Sequence, residues 1–328
     1  MFRALVFVAA GLAFVVIVVG AYVRLQDAGL GCPDWPGCYG HFVGVPERAE
    51  DVARAEQAFP GRAVEAHKAW KEMFHRYLAG TLGALIAAIA VIAWLKRGAL
   101  RQSPLLATAI VALVAVQATL GMWTVTLLLR PAIVTLHLLG GMATLAMLTW
   151  LALRQLPLPP ASDSALRLRP WAAIGLAVVA CQIVLGGWVS ANYAALACLD
   201  FPACRGGAWM PDMDFAHGFQ FARELGMTAA GAPLGIEALT AIHWTHRVGA
   251  LVTLIYVGAL ALALVRRTGY VKHGVALALL VTLQVGLGIA NVMAGLPLPV
   301  AVAHNGVAAI LIALLTVINF ALSRRASA

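Results

Sequence analysis

Apolar residues in this chain do not alternate with polar ones; they run. Eight stretches, roughly 3–23, 74–95, 104–126, 131–153, 171–191, 241–265, 272–294 and 300–321, are almost free of charge. At about 1.5 Å per residue, each can cross a hydrocarbon layer of about 30 Å as an α-helix. In lipid only a helix or a closed barrel satisfies its own backbone. The pattern predicts an all-α polytopic membrane protein of eight transmembrane helices. The first stretch has the Arg and apolar run of a signal peptide. No Ala-x-Ala cleavage site follows it and its end recurs later in the chain, so it is expected to stay as the first span.

The composition fits: 62% of the 328 residues are hydrophobic and 11% charged, against about 25% charged in a soluble domain. An ordinary soluble enzyme and a disordered chain are both excluded. The net charge of +9 suggests nucleic acid only until its distribution is read. Arg3, Lys96, Arg97, Arg101, Arg154, Arg167, Arg169, Arg266, Arg267, Lys272, Arg324 and Arg325 fall on one side of the eight spans, with Asp163 as the one acid there. The other side carries 11 basic and 13 acidic residues. The positive-inside rule then places both termini in the cytoplasm and the two long loops, about 24–73 and 192–240, outside. The expected location is a bacterial inner membrane with periplasmic loops and no nucleic-acid partner. A mitochondrial inner membrane fits the same pattern, but no transit peptide is seen. Within the loops, Pro46–Lys71 reads as helical, and Asp212–Thr228, with Phe215, Phe219 and Phe221, as an amphipathic stretch for the membrane surface.

The chain repeats itself. Gly20-Ala21-Tyr22-Val23 and the segment Cys32–Cys38 return, 166 residues on, as Gly186-Gly187-Trp188-Val189 and Cys198–Cys204. Gln117-x-x-Leu120-Gly121 returns as Gln284-x-x-Leu287-Gly288, and His137 as His304, at an offset of 167. His75-Arg76 returns as His246-Arg247 at 171. Gln182-x-x-Leu185-Gly186 shows the glutamine pattern a third time. The expectation is two tandem pseudo-symmetric four-helix bundles in parallel orientation. Residues 1–153 form the first, 154–170 a cytoplasmic linker and 171–321 the second. The small residues let helices approach closely.

Four of the nine histidines belong to the repeat: His75, His137, His246 and His304, each expected in the first few residues of a helix entering from the outer side. One imidazole in a membrane helix is readily a helix–helix hydrogen bond. Two per unit, four in all, match bis-histidine ligation of haem iron. Other metals need more ligands than two histidines, and no carboxylate neighbours His137 or His304. Arg76 and Arg247 could reach haem propionates, or serve as interfacial anchors. The repeat breaks at Glu72, three residues before His75, where the second unit has His243. A carboxylate beside one haem suggests a reactive site; it could also simply pair with an arginine. His243 could be a second donor near the other haem or an interfacial residue. His41, His67, His217 and His273 read as solvated. Cys32/Cys38 and Cys198/Cys204 sit in an oxidising compartment, so each pair can close a local disulfide. Its role is a staple or, for the first pair, redox chemistry. Zinc is the weaker alternative without CxxC spacing. Cys181 reads as a small core residue, and Trp35 could pack over a haem edge.

Taken together, Arg24-Leu25-x-x-x-Gly29-Leu30-x-Cys32-Pro33-Asp34-Trp35-Pro36-x-Cys38, Glu72-x-x-His75-Arg76, His246-Arg247 and His304 resemble the haem A synthase family over nearly the whole chain. The resemblance implies a membrane oxidoreductase that turns the C8 methyl of haem O into a formyl group by successive hydroxylation. It implies haem b held by His246 and His304, substrate haem O oxidised near His75 and His137, and Glu72 as a functional carboxylate. Haem O synthase, an unidentified electron acceptor and the lipid membrane are the implied partners, with a homo-oligomer left open. Two other readings share the bis-histidine logic: a di-haem membrane electron carrier and a non-enzymatic haem-handling or assembly factor. Glu72, absent from the second unit, disfavours the carrier. A secondary transporter lacks the expected intramembrane acidic pair.

Overall fold

The computed structural model describes residues 1–100, 102–267 and 269–324. Arg101 and Arg325, used in the charge count, lie outside them. In chain order the helices are α1 (Phe2–Leu25), α2 (Ala49–Ala58), α3 (Ala66–Leu95), α4 (Arg97–Leu100), α5 (Leu105–Thr126), α6 (Pro131–Leu153), α7 (Asp163–Leu166), α8 (Arg169–Ala191), α9 (Phe215–Gly218), α10 (Ile236–Val265), α11 (Val271–Met293) and α12 (Leu298–Ser323). Among the described residues, eight of these are long and apolar enough to cross a membrane: α1, α3, α5, α6, α8, α10, α11 and α12.

Local sequence sets the ends of the spans. Proline lies in the first turn of α6, α8 and α12, where its missing N–H and fixed φ cost nothing. The short turns between spans close through left-handed residues: Leu128 and Leu129 before α6, and Gly295 with Leu296 before α12. The expected spans lie inside the observed helices to within a few residues, with one informative exception. α3 and α10 begin eight and five residues earlier than expected: α3 carries two polar turns before its apolar run, and α10 a turn and a half that includes Glu237 and Thr240. His75 and His246 therefore sit about 14–15 Å into their helices rather than in the first turns. His137 and His304 are the seventh residues of α6 and α12.

α1, α3, α5 and α6 pack in a ring in which each touches the next; α8, α10, α11 and α12 do the same. The two rings meet where α1 and α6 pack on α8 and α12. α12 is the most buried span. A single apolar core runs through both rings, with Val6, Ile86, Ile110, Leu148, Leu264, Leu277, Leu315 and Ile318 fully enclosed. Large apolar residues such as Phe7, Trp94, Leu105, Val116, Leu262 and Leu279 point outward, as lipid-facing positions do. Between helices lipid supplies no hydrophobic drive, so close packing has to hold the spans together.

The two long loops depart from expectation. Pro46–Lys71 is not one helix: α2 stops at Ala58, and Gly61, with φ of +79°, turns the chain before α3. Asp212–Thr228 forms only the single turn α9 and then runs irregularly. Its arginine explains why. Arg223 is buried against the Trp188 ring and donates to Asn192 Oδ1 and to the Met227 carbonyl, so this segment folds onto α8 instead of lying flat. Burial pulls the Arg223 guanidinium below its usual value. Cys181, expected in the core, is exposed on the outer face of α8.

Candidate functional site

Each repeat histidine lies against one glycine of the preceding span. A Cβ placed on Gly20 would come 2.9 Å from His75 Cε1, on Gly186 3.0 Å from His246, on Gly288 3.2 Å from His304 and on Gly121 3.3 Å from His137. Contacts that short leave no room for alanine without displacement. The small residues of the repeat thus do more than bring helices together: each opens the space that an imidazole occupies. The glutamines of the same motif lodge one turn away. Gln182 packs on Gly249 and Gln117 on Gly140, each three residues past a histidine.

His75 on α3 and His137 on α6 come from opposite helices of the first ring, and His246 on α10 and His304 on α12 from opposite helices of the second. The Nδ1 atoms of His75, His137 and His304 are buried with no protein partner among the described residues, while the side chains as a whole stay half-buried. Among the described residues no group of three or more His, Cys, Asp or Glu could hold a bare metal ion. Two imidazoles per ring suit a metal whose other four ligands come from a macrocycle, so the donor set fits haem and fits a naked ion poorly.

Above each ring a disulfide-closed loop is tied to the helix that carries the first histidine. Cys32–Cys38 and Cys198–Cys204 are both bonded. In the first loop the Cys32 N–H donates to Glu72 Oε2 at 2.9 Å. Glu72 also pairs with Arg76. Arg76 donates to the Asp34 carbonyl at 2.9 Å and to that of Gly37. The second loop repeats the arrangement. The Cys198 N–H donates to His243 Nδ1 at 3.3 Å, His243 Nε2 faces Arg247 Nε at 3.3 Å, and Arg247 donates to the carbonyls of Asp200, Ala203 and Cys198 at 2.8, 2.9 and 2.9 Å. Arg76, through Nη1, and Arg247, through both Nη atoms, thus donate to loop carbonyls. Glu72 is 4% exposed, and takes the arginine-pairing role left open beside the chemical one. Trp35 is 41% exposed. In the loop around it, burial pushes the Tyr39 phenol up; its hydroxyl donates to the Ala63 carbonyl.

The remaining histidines divide. His41, His67 and His217 are exposed, whereas His273 is half-buried with its Nδ1 sealed. One cluster was not foreseen as a contact between the units: Arg24 donates to Tyr193 and to the Ser190 carbonyl at 2.8 Å, and Tyr193 donates to Asp27 at 3.0 Å. The repeat offset of 166 pairs Arg24 with Ser190 and Asp27 with Tyr193, so repeat-equivalent positions touch one another.

A family model described as COX15-CtaA, cytochrome oxidase assembly protein, matches residues 3–316. The chain belongs to the haem A synthase (COX15-CtaA) family. It is 44% identical over 314 residues to a "Heme A synthase" of Shewanella oneidensis, covering 95% of this chain and 94% of that one. A protein of the same name from Rhizorhabdus wittichii is 31% identical, covering 93% and 89%. One from Caulobacter vibrioides is 27% identical, covering 94% and 92%. The haem A synthase match spans both rings and both disulfide loops, so the repeat lies wholly within the family's extent.

Proposed function

We infer that this protein is a haem A synthase, a multi-pass inner-membrane oxidoreductase that converts haem O to haem A by hydroxylating the C8 methyl. Family membership over residues 3–316 carries this reading. The four glycine-seated histidines support its finer assignment. His246 and His304 hold haem b in the second unit, 171–321. His75 and His137 flank the substrate, haem O, in the first, 1–153. Residues 154–170 link the two, with both termini cytoplasmic and the disulfide loops periplasmic. Contact between Arg24 and Ser190, and between Asp27 and Tyr193, supports a pseudo-twofold axis between the units.

The oxidising chemistry on an unactivated methyl belongs to the iron groups, because amino-acid side chains cannot supply it. The chain's own work is positional. The rings set the imidazoles among apolar helices, a setting suited to an apolar substrate that arrives from the membrane. Glu72, fixed by the Cys32 N–H and Arg76, holds a carboxylate between the first loop and the helix of His75, where it can accept a proton. Electrons leave to an acceptor outside the chain, and haem O synthase supplies the substrate. The test is mass spectrometry of haems extracted after expression in a host that makes haem O but no haem A. Haem A or hydroxylated haem O beside haem b is expected. Haem b alone, with haem O present in the same membranes, overturns the enzyme in favour of a di-haem carrier.

A further inference from the structure

The two units hold their histidines differently. In the second, Gln182 Nε2 lies 3.0 Å from His246 Nδ1, whereas Gln284 Nε2 lies 3.3 Å from His304 Nε2 and leaves His304 Nδ1 without a partner among the described residues. In the first, neither imidazole has a glutamine side chain on its ring nitrogens, and His137 meets Gln117 only at its backbone. The glutamine of α5, Gln117, is turned onto Gly140. At the position four residues before Gly20, where Gln182 precedes Gly186, α1 carries Val16. His75 Nδ1 consequently has no partner among the described residues.

We propose that Gln182 is the positioning residue that makes the second unit retain its haem, and that Val16 at the equivalent place leaves His75 a releasable ligand. This rests on the haem assignment proposed above. An imidazole that binds iron through Nε2 carries its proton on Nδ1. That proton needs an acceptor if the ring is to stay oriented and basic. Gln182 Oε1 is buried with no other partner among the described residues, and rotation of the amide sets it on the ring. Amide orientation is exchangeable in this way because oxygen and nitrogen occupy equivalent positions. In the orientation shown, Gln182 Nε2 donates to the His246 carbonyl at 3.0 Å; accepting the Nδ1 proton exchanges that bond for the one to the ring. Val16 has no acceptor to offer, so His75 lacks this restraint. A unit that must admit a substrate haem and release a product haem needs a weaker hold than one that keeps a resident cofactor.

The experiment follows haem b release from the purified, detergent-solubilised full chain to excess apomyoglobin, which reads binding without activity. Outer-shell partners of metal ligands typically change affinity about 10–100-fold. Gln182→Leu is expected to speed haem b release by about that factor and to broaden its low-spin EPR signal. Gln182→Glu, which keeps an acceptor, is expected to restore slow release. Val16→Gln is expected to slow release of haem from the first unit. His246→Ala separates the two levels of the argument. If it keeps its haem b, the haem assignment itself fails. If it loses haem b while Gln182→Leu releases at the wild-type rate, the assignment stands and the role of Gln182 is overturned. Faster release that Gln182→Glu does not rescue marks a packing effect only and also overturns it.

Discussion

The backbone N–H of Cys32 donates to the carboxylate of Glu72 at 2.9 Å, tying a disulfide loop to the helix that carries His75. At the equivalent point of the second repeat, the Cys198 N–H meets His243. One scaffold therefore carries a carboxylate in one copy and an imidazole in the other, while the arginine one turn further on, Arg76 or Arg247, is unchanged.

Because Glu72 is buried and paired with Arg76, its loss is structural as well as chemical. Removing one partner of a buried pair leaves the other charge uncompensated, at a cost of about 3–5 kcal/mol. Glu72→Ala is expected to lower the melting temperature and abolish haem A formation together. Glu72→Gln keeps the acceptor for the Cys32 N–H, so it is expected to fold near normally and still fail to make haem A. Normal haem A content in a folded Glu72→Gln protein counts against any chemical role for the carboxylate.

Arg247 satisfies three loop carbonyls. At about 1 kcal/mol net for each hydrogen bond, Arg247→Ala is expected to destabilise the Cys198–Cys204 loop by about 2–4 kcal/mol. Amide hydrogen exchange there should rise sharply, with the spans unaffected. Unchanged exchange over residues 198–204 would return Arg247 to the propionate role.

Each disulfide closes a loop of seven residues, counting both cysteines. The chain-entropy relation gives about 2 kcal/mol for a loop so short. Cys198→Ser with Cys204→Ser is expected to cost about that much stability while haem A formation persists, since Glu72 is tied to the other loop. Loss of activity without loss of stability would assign the second disulfide a chemical part.

Outside the membrane, Asp214 caps α9 by accepting from the His217 N–H at 3.0 Å, and its carboxylate also meets His217 Nδ1. These contacts hold the Asp214 carboxyl below its ordinary value, the backbone bond from His217 first. A depressed carboxylate contributes stability above its unfolded pKa and loses it as pH falls through the folded one. The 212–218 segment is thus expected to loosen only below the ordinary aspartate range, seen as exchange at the His217 amide, and Asp214→Asn should remove that dependence.

The spans were legible because their signal is local: long uncharged runs with proline at three starts. The histidines were legible because the chain repeats them. The depth of His75 and His246 was not, since both helices start before their uncharged runs, α3 by two polar turns and α10 by the turn that carries Glu237. The folding of 212–228 onto α8 depends on the long-range contact of Arg223 with Trp188 and Asn192. Cys181 was misplaced because an apolar helix gives no sign of which face meets lipid. The loop carbonyls that converge on Arg76 and Arg247 were not legible either, because they bring together residues about 40–50 positions apart.

The central claim is that two histidine pairs define two haem sites of different duty. Pyridine haemochrome spectra of the four single His→Ala proteins test it directly. His246→Ala and His304→Ala are predicted to lose haem b, while His75→Ala and His137→Ala keep it and accumulate no haem A. Full haem b in His246→Ala and His304→Ala, or its loss in the His75→Ala and His137→Ala proteins instead, would contradict the account.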